Sequence, residues 1–250
     1  MSAGGMNIGA PVLEVRGATK RFGGLIAVNA IDFDVREHEV MGLIGPNGSG
    51  KSTTLNLISG MLRPTSGSIS LRGAPISNLP AQTISRRGVA RTFQLVRLLP
   101  SMSVLENVKA GAVFGHRRRW GDEADSHALK MLERVGLHGR AHAPVGMLTY
   151  IDTKRVELAR VLAGDPKVLL LDEWLAGLNP TELEQGIKLI RSLRDEGRTI
   201  VLVEHVMDAI RSLCDRCVVM ASGKKIAEST PEEVLNDPQV ISAYLGDDDA

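Results

Sequence analysis

The sequence predicts an α/β fold with a mostly parallel sheet, an N-terminal antiparallel β-layer and an inserted helical block. The apolar run Val40-Met41-Gly42-Leu43-Ile44 leads into Gly45-Pro46-Asn47-Gly48-Ser49-Gly50-Lys51-Ser52-Thr53, which opens a helical stretch Thr54-Leu55-Asn56-Leu57-Ile58. That order of strand, glycine-rich loop and helix is the setting of a phosphate-binding loop. Three later apolar runs, Val168-Leu169-Leu170-Leu171, Thr199-Ile200-Val201-Leu202-Val203 and Cys217-Val218-Val219-Met220, are separated by helical stretches, as right-handed crossovers in a parallel sheet require. Before residue 40 the pattern alternates in short segments instead, which marks an antiparallel layer.

In chain order, Val12-Leu13-Glu14-Val15-Arg16 and Ala30-Ile31-Asp32-Phe33-Asp34-Val35 read as the first strands, and Glu39 leads into the buried strand before the loop. After Pro64-Thr65-Ser66-Gly67, the piece Ser68-Ile69-Ser70-Leu71-Arg72-Gly73 reads as a further strand and turn. From about Leu95 the character changes. Val104-Leu105-Glu106-Asn107-Val108 and Ala128-Leu129-Lys130-Met131-Leu132-Glu133-Arg134-Val135 have helical spacing, and with the helix expected from Thr153 to Leu162 they define an insertion over residues 95–165. A chain of 250 residues suffices for one core and is short for two, so a single domain over residues 1–250 is expected.

The net charge of +1 gives no reason to expect a nucleic-acid partner. No apolar stretch is long enough to cross a bilayer, and Met1-Ser2-Ala3-Gly4-Gly5 lacks the basic start and apolar core of a secretion signal. A cytoplasmic protein is the expectation. Cys214 and Cys217 form one C-x-x-C with no second pair and no histidines at ligand spacing, so they are read as packing residues rather than a metal or redox site. His116-Arg117-Arg118-Arg119-Trp120 is read as a solvated loop tip, Met102, Met131 and Met147 as core or docking-surface filler, and Asp247-Asp248-Asp249 as a solvated tail.

The loop carries the chemistry. In the loop Gly45-Pro46-Asn47-Gly48-Ser49-Gly50 the glycines let successive backbone N–H groups turn inward on a polyphosphate, and the following helix presents its positive N-terminus. Lys51 adds a cation for the terminal phosphates, Ser52 offers a hydroxyl to Mg²⁺, and Thr53 continues the loop into the helix. A glycine-rich turn that merely caps a helix would explain neither the Lys-Ser pair nor the buried strand before it. A nucleoside triphosphate with Mg²⁺ is therefore the expected ligand. Phosphoryl transfer to water needs further groups. Asp172 and Glu173 end the strand 168–171 at the carboxyl edge of the sheet, where Asp172 suits the Mg²⁺ shell and Glu173 suits polarising the attacking water. An acidic pair after a strand also serves as a helix cap. Glu204-His205 occupies the equivalent edge after the next strand, from which His205 would reach the γ-phosphate; a lone histidine there is otherwise structural.

With these residues in order, the chain resembles the ATP-binding subunits of ABC transporters over nearly its whole length, from Leu13-Glu14-Val15 to Ala243-Tyr244-Leu245-Gly246. The resemblance rests on the phosphate loop, Gln94 in Arg91-Thr92-Phe93-Gln94, Asp172 with Glu173, the segment Ala176-Gly177-Leu178-Asn179-Pro180, and His205. It implies a P-loop NTPase core of the ABC ATPase kind that hydrolyses ATP and dimerises head to tail. Gln94 would then touch both Mg²⁺ and a membrane partner, and Phe22 would stack on adenine in place of the commoner Tyr. Lys20-Arg21-Phe22-Gly23-Gly24, Ser103-Val104-Leu105-Glu106-Asn107-Val108 and Thr230-Pro231-Glu232-Glu233-Val234 look most like importers of branched-chain amino acids. Implied partners are two integral membrane permease subunits and a second ATPase subunit or a second copy of this chain, with the chain peripheral on the inner face of the membrane. A lipopolysaccharide-type exporter ATPase, a soluble ABC-type ATPase and a P-loop kinase are the alternatives.

Three departures stand out. Where the family usually has Leu-Ser-Gly-Gly-Gln, this chain has Leu148-Thr149-Tyr150-Ile151-Asp152, so Ile151 puts a β-branched side chain and Asp152 a negative charge where a phosphate of the opposite subunit must approach. Locally, Asp152 is expected to cap the helix that starts at Thr153. Trp174 replaces the more usual Pro after Glu173, and Asn179 the commoner Asp.

Overall fold

Three strands without a polar interior set the architecture: β3 (Val40–Ile44), β7 (Val168–Asp172) and β8 (Thr199–Val203) are buried at every position. Strands buried on both faces need cover on both, and the side chains sort by the two-residue period of a strand. Met41, Leu43, Val168, Leu170, Val201 and Val203 face one core, while Val40, Ile44, Leu169, Leu171, Ile200 and Leu202 face another.

The computed structural model describes residues 9–245. The readings made of residues 1–5, of Gly246 and of the acidic residues 247–249 lie outside them. The described chain runs β1 (Pro11–Phe22), β2 (Leu25–Arg36), β3, α1 (Lys51–Ile58), β4 (Ser66–Leu71), β5 (Ala74–Pro75), α2 (Ala81–Arg87) and β6 (Val89–Arg91). Helices α3 (Val104–Phe114), α4 (Gly121–Arg134) and α5 (Tyr150–Ala163) follow, then β7, α6 (Pro180–Asp195), β8, α7 (Met207–Leu213), β9 (Arg216–Ala221), β10 (Lys224–Ser229), α8 (Pro231–Leu235) and α9 (Pro238–Leu245). One sheet has the order β2-β1-β4-β5, with every pairing antiparallel. The other has the order β10-β9-β3-β8-β7-β6 and is parallel except for its β10 edge.

The first core fills the space between the two sheets around Leu55, Leu57 and Ile58 of α1. The second lies on the far face of the parallel sheet under α5, α6 and α7. A third belongs to the helical block, where Val104, Val108, Ala128, Leu132, Val156 and Ala159 interlock. At the end of the parallel sheet remote from the loops, Arg216 pairs with Asp34, Glu39 and Glu228, tying the antiparallel sheet to the parallel one.

Several local expectations change. The first two strands are 12 residues each, longer than the alternating segments that suggested them, because register shifts along their pairing let the ladder continue through irregular positions. The helix expected from Thr153 begins at Tyr150, and its cap is Thr149, whose hydroxyl accepts from the Asp152 N–H at 3.3 Å, so Asp152 sits inside the first turn. Arg119 is buried rather than solvated, paired with Asp165, while Trp120 beside it stays exposed. Cys214 and Cys217 are free and buried against Gly42, as packing residues are. Met131 packs between two cores, and Met102 and Met147 are exposed.

Candidate active site

The loop after β3 takes its shape from backbone that only glycine supplies cheaply. Gly45 has φ +146°, and a Cβ there would lie 2.0 Å from the Met220 carbonyl oxygen; Gly50 has φ +103°, and a Cβ would lie 2.6 Å from that of Ala27. Side chains at these places would be strained and would collide. The loop folds over the N-terminus of α1, whose first residue Lys51 sends its Nζ back to the carbonyls of Gly45 at 2.7 Å and Pro46 at 2.8 Å. Residues Asn47, Gly48, Ser49, Gly50, Lys51, Ser52 and Thr53, with Ala27 and Glu173, wall a cavity of about 170 Å³.

Glu173 is where two more of the predicted residues meet. Gln94 donates from Nε2 to its Oε2 at 2.7 Å, and Nε2 of His205 lies 2.9 Å from its Oε1. Three segments distant in sequence thus converge on one carboxylate that faces the loop cavity. Asp172 lies one residue back and accepts from Arg91 at 2.7 Å, both side chains being 6% exposed. Arg91 also donates to Asn56 of α1. Phe22 stands apart: it is 45% exposed at the end of β1, with the Lys20 ammonium 5.2 Å from its ring centre, and it does not line the cavity.

The turn that carries Glu173 is held from both sides. Glu173 adopts a left-handed backbone, φ +48°, which costs a non-glycine residue about 1–3 kcal/mol. Lys154 of α5, 2% exposed, donates to the carbonyls of Glu173 at 3.2 Å, Trp174 at 2.9 Å and Ala176 at 2.8 Å. Three hydrogen bonds from one charged donor hold the turn in that conformation. Trp174 returns a bond from its indole N–H to the Lys154 carbonyl at 3.1 Å, which accounts for an aromatic where Pro is more usual. From the other side, Glu204 accepts from the Leu175 N–H at 2.7 Å, and burial pushes its carboxyl up to about 7.

One turn of helix along from Lys154, buried Glu157 accepts from the N–H groups of Phe93 and Arg97 on either side of Gln94. Burial raises its carboxyl above the ordinary value, and those two N–H groups pull the other way. The sequence reading missed Arg91, Lys154, Glu157 and Glu204 as parts of the site. A signal existed for two of them, since Lys154 and Glu157 stand three apart on one helix and so share a face.

A family profile described as "ABC transporter" matches residues 28–176, and one described as "Branched-chain amino acid ATP-binding cassette transporter" matches residues 224–250. The high-affinity branched-chain amino acid transport ATP-binding protein LivG of Salmonella typhimurium is 43% identical, over 95% of this chain and 98% of that protein. The chain belongs to the ABC transporter family. BraF of Pseudomonas aeruginosa, also named a high-affinity branched-chain amino acid transport ATP-binding protein, is 42% identical over 95% of this chain and 98% of that one. The crystal structure of the ADP conformation of MJ1267, an ATP-binding cassette of an ABC transporter, superposes with a TM-score of 0.86 at 30% identity, covering 95% of this chain and 99% of that one. This ABC chain is an ATP-binding and ATP-hydrolysing subunit, and among its described residues no helix is long and apolar enough to cross a membrane.

Proposed function

We propose that this ABC ATPase energises uptake of branched-chain amino acids or related solutes, as a peripheral subunit on the inner face of the membrane bound to two permease subunits. The convergence of Gln94 and His205 on Glu173 beside the phosphate loop is the observation that carries its catalytic half. The match of residues 224–250 to the branched-chain family favours import over export.

In this reading the backbone N–H groups that the phosphate loop offers between Gly45 and Thr53, Pro46 excepted, cradle the phosphates of ATP together with the Lys51 ammonium. Glu173 takes a proton from the attacking water while His205 holds that water in line, and Phe22 meets the adenine by its ring face. Ser52, Gln94 and Asp172 offer only oxygen donors, and Arg91 takes one oxygen of Asp172 and leaves the other. Such a set suits Mg²⁺, which binds through one or two carboxylates plus substrate phosphates and neutralises charge on the transferred group. A groove of about 380 Å³ beside the Gln94 loop, lined by Phe93, Leu99 and Phe114, is the proposed seat for a permease segment.

Because Ile151 and Asp152 replace the usual glycine and glutamine, the reading includes a heterodimer. ATP on this chain is hydrolysed when a different ATPase supplies an intact signature, and the reciprocal site is slow. Phosphate release by the purified chain, with and without a partner ATPase, tests this; robust turnover alone, abolished by Glu173→Gln, refutes the obligatory heterodimer. Branched-chain amino acid uptake into vesicles bearing the whole transporter tests the solute, and absence of leucine, isoleucine and valine transport overturns it.

A further inference from the structure

The mechanism so far leaves unused a buried cation next to the proposed catalytic turn. Lys154 gives its hydrogen bonds to three carbonyls of the segment 173–176 rather than to a carboxylate, although its charge is felt by the buried carboxyls of Glu157 and Glu204. Taking an ammonium out of water for neutral acceptors is costly, and an apolar side chain at this place would fill the same volume without that cost. Lys154 also sits one helical turn after Tyr150, whose ring its Nζ approaches to 5.0 Å. The Tyr150 ring in turn packs at Gly177, where a Cβ would lie 3.3 Å from it. The α5 N-terminus, which carries the altered signature, is therefore joined to the Glu173 turn by Lys154, by the returning Trp174 bond and by the Tyr150 contact.

We infer that Lys154 is a positioning residue for hydrolysis: by gathering the carbonyls of Glu173, Trp174 and Ala176 it fixes the direction of the Glu173 carboxylate and ties that direction to the signature end of α5. This rests on the proposed role of Glu173 as the group that activates water. The left-handed backbone at Glu173 gives the reason, since without the three bonds the turn can relax and swing the carboxylate away from the line defined by Gln94 and His205. Glu204 secures the next N–H of the same turn from the opposite side, so the segment is held at 173, 174, 175 and 176 in succession.

The test uses the full chain assembled with its partner ATPase and permeases, and compares Lys154→Met, Glu173→Gln and the double variant. Lys154→Met is expected to lower kcat at least ten-fold while KM and the Kd for a fluorescent ATP analogue stay within two-fold of wild type. Added to Glu173→Gln, it is expected to cause no further loss, because the residue acts through that carboxylate. An unchanged kcat, or losses that multiply in the double variant, overturns the inference. A Glu173→Gln variant of undiminished activity instead overturns the assignment of Glu173, whatever Lys154→Met does. Should Lys154→Met fail to fold, Trp174→Phe removes the return bond while keeping a ring in the core; a fall in kcat at constant Kd, absent in the Glu173→Gln background, supports the inference, and a wild-type kcat overturns it.

Discussion

His205 Nε2 lies 2.9 Å from Glu173 Oε1, although the two residues are 32 positions apart in the chain. Adjacent parallel strands bring them together: β7 and β8 run in register, Asp172 beside Val203, so whatever follows each strand emerges at the same edge. Glu173→Gln keeps the shape and removes the base. General-base catalysis is worth about 10²–10⁴-fold, so phosphate release by the assembled transporter is expected to fall by at least about a hundred-fold with ATP binding retained, as measured by equilibrium binding of a nucleotide analogue. His205→Ala is expected to impair kcat more than KM, because it leaves the phosphate loop untouched.

The pair of Arg91 and Asp172 predicts a stability effect apart from catalysis. Both are nearly excluded from solvent, and removing one member of such a pair strands the other charge at a cost of about 3–5 kcal/mol. Arg91→Met should therefore lower the free energy of urea unfolding by about that much. The double variant Arg91→Met/Asp172→Leu should recover most of it. A single variant as stable as wild type would show that Asp172 finds another partner.

Glu204 predicts a pH dependence of stability. Its carboxyl is held at about 7 in the folded chain by burial, with Lys154 and the Leu175 and His205 N–H groups pulling it down and Glu173 pushing it up, against an ordinary value of about 4.5. Between those values the folded state keeps a proton that the unfolded state releases, so this group's contribution to stability falls as pH rises from about 4.5 to 7 and is flat above. The whole effect amounts to about 3 kcal/mol. Glu204→Gln, which can still accept from Leu175, should flatten that part of the profile in urea unfolding measured at a series of pH values.

The altered signature predicts a gain of function. Ile151→Gly with Asp152→Gln removes a β-branched side chain and a negative charge from the start of α5. In the assembled transporter, the ATP site bounded by this end of α5 should turn over faster, read as phosphate release with this chain's own site silenced by Glu173→Gln. No increase would mean that the partner's own residues limit that site.

Much of this was legible in the residues and some was not, for reasons that differ. Continuous apolar runs such as 168–171 identify a strand buried on both faces, and the glycines at 45, 48 and 50 identify the loop, because each demands a conformation few residues allow. The resemblance carried Gln94 to its place by motif, and the end of the strand 199–203 carried His205 to its own. Arg91 and Glu204 were invisible because their roles are defined by partners across the fold, Asp172 for the one and the Leu175 N–H for the other, whereas Lys154 and Glu157 left only the faint signal of a shared helix face. The start of α5 was misplaced because both Thr149 and Asp152 are good caps, and which one serves depends on packing of Ile151 that the one-dimensional pattern does not contain.

The lysine of the phosphate loop donates to two of the loop's own carbonyls, those of Gly45 and Pro46. An incoming triphosphate thus competes with internal oxygens for that ammonium, and net affinity is the difference between two occupied arrangements. Substitutions that weaken the grip of Gly45 and Pro46 on Lys51 would tighten nucleotide capture, while those that strengthen it would slow loading without touching any atom of the nucleotide.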